Sequence, residues 1–145
     1  MRRTKIIIIS IGAIIILGLI FYNAMPYYEV KYRIKEIKSK NFNSSIFIKQ
    51  KVWGITYDNQ TIIISLSPEE KFKPDSLTDY VYEGLSPFYY KFYQDSLFVY
   101  TMKKSHAPQD FKTGIKIIQV ELENPEMMRL IENHQYEAEG LHTIE

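Results

Sequence analysis

The 145 residues carry 18 Lys and Arg against 17 Asp and Glu, a formal charge of +1, and include no cysteine. Disulfides, thiolate metal sites, thiol nucleophiles and an acylated lipoprotein cysteine are therefore excluded, and the charge balance gives no basic face of the kind that binds nucleic acid. With 46% hydrophobic residues the chain reads as folded, and its length allows one real core but not two ordinary domains.

The first element is an apolar run. Arg2, Arg3 and Lys5 precede it, and no residue from Ile6 to Tyr28 is charged. At about 1.5 Å per helical residue this window crosses the roughly 30 Å hydrocarbon core of a bilayer. Residues 1–28 are thus expected to form a transmembrane helix marked by Ile6, Ile9, Ile14, Leu17, Phe21 and Tyr22. A cleaved signal peptide has a shorter apolar region and an A-x-A type cleavage site. The segment Tyr22-Asn23-Ala24-Met25-Pro26 offers a poor one, so the reading is an uncleaved signal anchor in contact with membrane lipid. The basic N-terminus argues for a cytoplasmic amino end and an extracytoplasmic domain, although Lys31, Arg33, Lys35, Lys38 and Lys40 behind the run weigh the other way.

Residues 29–45 read as a basic linker helix. Tyr27, Val30, Ile34 and Ile37 recur at spacings of 3, 4 and 3 and form one apolar stripe. The alternation Val30, Tyr32, Ile34 would suit a strand, but Glu36 and Ile37 interrupt it. Asn41, Asn43, Ser44 and Ser45 end the element in a polar loop.

From residue 46 the period becomes two, and β-branched and aromatic residues dominate. Ile46 to Tyr57 reads as a strand with an irregularity at Gly54, followed by a turn at Asp58-Asn59-Gln60 and a strand from Thr61 to Ser67. Pro68 to Leu77 is a surface loop, and Asp79 to Glu83 a short strand closed by Gly84. A hairpin pairs Phe88–Tyr93 with Leu97–Met102 across Gln94-Asp95-Ser96, and Gly114 to Leu122 is a sixth strand. The fold class is mainly β (α+β). After the transmembrane and linker helices comes an antiparallel six-strand meander, a small sandwich or curled sheet. Asn124-Pro125-Glu126 starts a helix that reaches about Gln135 and packs Met127, Leu130, Ile131 and His134 on the sheet. The domain spans 46–136, and 137–145 is a frayed acidic tail.

No motif for a nucleophile, a phosphate loop or a metal is present, and no cofactor or metal is expected. His106, His134 and His142 form no ligand pair of the usual spacing. The aromatic load between Tyr80 and Tyr100 is the least ordinary feature. Tyrosine joins apolar area to a polar handle, so Tyr80, Tyr82, Tyr89, Tyr93 and Tyr100 are the candidate binding face. The leading functional reading is a non-enzymatic, single-pass anchored β domain that binds a protein partner or supports assembly of a cell-envelope component. A protective binder of a toxin or inhibitor at the membrane, using the acidic Glu121–Glu145 segment, is one alternative. An enzyme with a dispersed site drawing on His106, Asp110 and Asp95 is the other.

Overall fold

The computed structural model describes residues 12, 14–22, 29–54, 59–69, 71–84 and 87–144. Most of the apolar N-terminal run, including Ile6 and Ile9, lies outside the described residues. Within it, residues 14–22 are helical, and no helix among the described residues is long and apolar enough to cross a membrane.

Among the described residues the body has seven strands in two facing sheets, a small sandwich rather than a curled sheet. The expected six-strand antiparallel meander is corrected by the added strand Lys31–Lys38 and by the parallel pairing of Lys116–Glu121. Sheet A runs β1 (Lys31–Lys38), β2 (Ser45–Trp53), β3 (Asn59–Ser65) and β4 (Tyr80–Gly84), all antiparallel neighbours. Sheet B contains β5 (Tyr89–Tyr93), β6 (Ser96–Thr101) and β7 (Lys116–Glu121). Within sheet B, β5 and β6 form an antiparallel hairpin while β7 runs parallel to β6.

The expected linker helix is strand β1. Ile37 stands opposite Ile46 and is buried, whereas the rest of the strand is exposed. The helical stripe was real as a spacing, but β2 offers a complete ladder from Lys31↔Val52 to Lys38↔Ser45. That ladder satisfies one side of the strand's backbone, while local helix propensity adds only tenths of a kcal/mol per residue. Lys31, Arg33, Lys35 and Lys38 also suit an edge strand, where charge discourages pairing with other chains.

Strand β2 ends earlier than the sequence suggests. Gly54 adopts φ +104°, a conformation glycine enters at little cost, and Asn59 and Gln60 belong to β3 rather than to a turn. The tip at 55–58 lies outside the described residues.

The inner faces of the two sheets make the main core. Ile46, Ile48, Ile62 and Ile64 of sheet A meet Tyr90, Leu97 and Val99 of sheet B, with Phe88, Ile115 and Ile144 at the margins. The outer face of sheet B carries a second core. There Tyr89 packs with Met127, Leu130 and Leu141, joined by Tyr100, Leu122 and Tyr136. Sheet B is therefore a middle layer, which explains why β5 is aromatic on both faces.

The helix is present and packed on the sheet, but divided. Helix α1 (Asn124–Ile131) begins with the Glu126 carboxylate accepting the Glu123 N–H at 2.8 Å, so the capping residue is Glu123 rather than Asn124. Asn133 and His134 take left-handed φ values of 52° and 55°, separating α1 from the short α2 (Gln135–Ala138). The tail is not frayed through 141–144. His142 pairs with Tyr90 of β5 through two backbone hydrogen bonds of 2.8 and 2.9 Å, while Leu141 and Ile144 are buried in different cores.

Two polar contacts hold the outlying pieces. Lys49, on the outer face of β2, is only 3% exposed and donates to the Glu69 carbonyl at 2.7 Å, tying the loop after β3 onto sheet A. Burial lowers its pKa, opposed by the nearby Asp79 and Glu69 carboxylates. At the far end, the tight turn between β5 and β6 puts Gln94 and Asp95 at φ 47° and 55°. The Asp95 carboxylate accepts from Ser39 Oγ at 2.6 Å and from Asn41 Nδ2, joining this turn to the β1–β2 turn.

These hydrogen bonds, first from Ser39 and then from Asn41, hold the Asp95 carboxyl below its ordinary 3.8. A carboxyl with a lowered folded pKa stabilises the fold above its unfolded value, and that contribution disappears as pH falls through the folded value. Asp95→Asn is expected to lower the urea midpoint at neutral pH, with the gap to the parent closing on acidification below 3.8. A gap that stays constant across the acid range would show that the carboxylate is not the stabilising species.

Candidate functional site

The free edge of β4 and the residues leading from β6 toward β7 enclose a cavity of about 460 Å³. Asp79, Val81, Glu83 and Gly84 line one side, Met102 to His106 the other, with Tyr82 and Phe88 also contributing. The connection between β6 and β7 is long because β7 must return parallel to β6. It crosses the open side of the sandwich, where the Asp110 N–H donates to the Leu77 carbonyl at 3.0 Å and Phe111 sets its ring edge-on to Tyr80 at 5.1 Å.

Gln119 is the pivot. It shares the alternation of core-facing Ile117, and its side chain joins both sheets to the connection. Its Oε1 accepts from the Tyr82 hydroxyl at 2.8 Å and from the Ser105 N–H at 2.8 Å, while Nε2 donates to the Ser105 carbonyl at 3.1 Å. Ser105 Oγ in turn accepts the Val81 N–H at 2.8 Å and donates to the His106 carbonyl at 3.1 Å. Burial, followed by the neighbouring Tyr80, pushes the Tyr82 phenol well above the ordinary tyrosine value. Burial also raises Tyr80.

Both the hydroxyl proton and a lone pair of Ser105 are engaged, and its partner at His106 is the backbone carbonyl rather than the imidazole. Because the Val81 N–H turns toward the connection, Glu83, two residues on, presents its outward backbone groups on the same edge. An exposed strand edge accepts an extended polypeptide through main-chain hydrogen bonds. Lys103 and Lys104 line the cavity together with Glu83 and Asp79, and Lys104 pairs with Glu121 at 3.7 Å.

A second cavity of about 470 Å³ lies across Gln60, Pro87 and Phe88, which line both. Here Arg33 donates to Gln50 Oε1 at 3.2 Å and to the Ile144 carbonyl at 3.3 Å, and Gln50 Nε2 donates to Gln60 Oε1 at 2.7 Å. This side is a polar seam closed by the C-terminal segment.

The five tyrosines singled out from the sequence do not share one outward face. Tyr80 and Tyr82 point into the sandwich, with Tyr82 in the main core. Tyr89 lies beneath α1, stacked on Tyr136 at 4.8 Å, and Tyr100 packs in the same layer. Tyr93 is 57% exposed. Of the dispersed set, His106 lines the first cavity, whereas Asp95 clamps the distant turn and Asp110 lies in the connection. Among the described residues, no group of three or more His, Cys, Asp or Glu is placed to hold a metal ion. His134 meets Tyr136 edge-on and His142 lies beside Tyr90. Ser105 and Gln119 belong to no motif. A lone glutamine inside the apolar KIIQVE strand was the available signal, since a polar side chain on a core-facing position must find partners.

No protein-family model, curated protein or solved structure matches this chain.

Gln119→Leu removes the acceptor of two donors and is expected to cost about 1–3 kcal/mol in urea unfolding. Amide exchange at Val81 and Ser105 should accelerate together. Unchanged protection at both amides would remove Gln119 from its place as pivot.

Proposed function

We propose that the chain is a membrane-tethered, non-enzymatic β domain that holds its β4-edge cleft ready for an extended segment of a protein partner in the cell envelope. The observation that carries the tether is the exposure of residues 14–22. Ile14, Ile15, Ile16, Leu17, Leu19, Ile20, Phe21 and Tyr22 stand 56–78% exposed. So much contiguous apolar surface is costly in water and marks a site of membrane or protein contact. Its place within a longer uncharged run favours insertion in lipid.

The amino end faces the cytoplasm and the domain lies beyond the membrane. Arg2, Arg3 and Lys5 support this orientation. Lys31, Arg33, Lys35 and Lys38, which oppose it when counted as a loop, belong to the paired strand β1. Domains translocate largely regardless of their charge. The cleft supports a peptide-binding reading because it combines an open strand edge, an aromatic floor and charges of both signs.

The full chain is expected to stay with membranes after alkaline carbonate extraction. Ile15→Asp combined with Leu19→Asp should release it, each aspartate costing about 2.5–3.5 kcal/mol at the helix centre. In intact cells, a membrane-impermeant maleimide should label an Asn43→Cys variant, the parent having no cysteine. Extraction of the parent by carbonate would overturn the tether, and labelling only after lysis would reverse the orientation.

A photo-crosslinking residue at Met102, which lines the cleft, is expected to give a discrete adduct in membranes. The same probe at Asn43 should give none. Adducts at Asn43 with none at Met102 would move the partner away from the cleft.

A further inference from the structure

We propose that the end of sheet A where β1 begins is a docking rim for an anionic phospholipid surface, built from Val30, Tyr32, Lys51 and Trp53. This inference rests on the membrane tether proposed above and adds a second, peripheral contact to it.

The register assembles the rim from two strands. Tyr32 stands opposite Lys51 on β2, and Trp53 lies two residues further along β2. Alternation places all three on the outer face of sheet A, away from the main core, and Val30 continues the same parity. Val30 is 39% and Tyr32 56% exposed, and the Lys51 ammonium lies 5.5 Å from the centre of the Trp53 ring. The Phe72 ring, 6.1 Å from Tyr32, adds to the apolar surface. Lys71 and Lys73, exposed on either side of Phe72 in the chain, add positive charge beside it.

Three features select lipid as the occupant. The first is the chain itself. Residue 30 follows the exposed apolar helical residue Tyr22 by only eight positions, a separation of at most about 28 Å when fully extended. A tether inserted through residues 14–22 therefore keeps this end of the sheet close to the bilayer. The second is composition: tryptophan and tyrosine with an apolar body and a polar tip are the side chains enriched at the membrane–water boundary. The third is charge. Lysines beside that belt are attracted to anionic head groups, whereas an apolar protein partner would be met by charge.

Trp53 is the sole tryptophan, so its fluorescence reports this rim alone. The full chain is reconstituted into vesicles of phosphatidylcholine, with or without a minority of phosphatidylglycerol, that carry bromine on the acyl chains. Trp53 should be quenched in the anionic vesicles, less so in the zwitterionic ones, and less again as salt rises. Lys51→Gln should lower the docked-to-undocked ratio roughly fivefold, the equivalent of about 1 kcal/mol. Lys71→Gln combined with Lys73→Gln serves as a second variant, because Lys51 also packs on the reporter ring. A fluorophore at Asn43→Cys, at the opposite end of β1, should remain unquenched.

Chains that float with the vesicles while Trp53 stays unquenched would overturn the rim and leave the tether standing. Chains that do not float would overturn the tether and the rim together. Equal quenching with and without phosphatidylglycerol would overturn the assignment to anionic lipid.

Discussion

The fold depends on one contact surface, the meeting of Ile46, Ile48, Ile62 and Ile64 with Tyr90, Leu97 and Val99 between the two sheets. Neither sheet could keep its apolar face in water, and each fully buried aliphatic side chain adds about 1.5–3 kcal/mol relative to exposure. The contact sets the register of β2 and β3, because a shift of one residue would turn these isoleucines outward. It also makes sheet B a middle layer. With its inner face used by the sandwich, the outer aromatics of β5 and β6 require a second cover, which α1 and Leu141 supply.

Polar contacts then fix what burial leaves free. Hydrophobic packing is non-directional, and it says little about where a connection or a turn should rest. Gln119 gathers Tyr82, Ser105 and, through Ser105, Val81, so that the β6–β7 connection closes one open side at a defined position. Asp95 joins the two sheets at their turns, and Lys49 brings the loop after β3 onto sheet A. A partly buried polar contact of this kind costs stability if a member lacks its partner, and for that reason it favours one arrangement over its neighbours.

The proposed function uses the parts of the molecule that these contacts leave unoccupied. The β4 edge keeps outward main-chain groups beside a cavity of about 460 Å³, and the start of β1 keeps an aromatic and basic rim. The tether would restrain the second of these features to the bilayer surface. Strand β1 connects the proposals physically. It follows the apolar run in the chain, forms the far edge of the sheet from β4, and carries its charge where a free edge needs it.

The sequence by itself determined the apolar run, the absence of thiol chemistry, the mainly β body, the β5–β6 hairpin and a C-terminal helix with Met127 and Leu130 inward. Each of these follows from local spacing or composition. Only the tertiary structure decided that residues 31–38 are a strand, because the ladder offered by β2 outweighs a helical stripe whose advantage is small. It alone decided that β7 runs parallel to β6 and that Leu141 and Ile144 are buried, since both depend on edges and faces formed by distant segments. The tyrosines illustrate the limit most directly. Their alternation was legible, but whether a face meets water, a second sheet or a helix is a property of the layers and not of the strand.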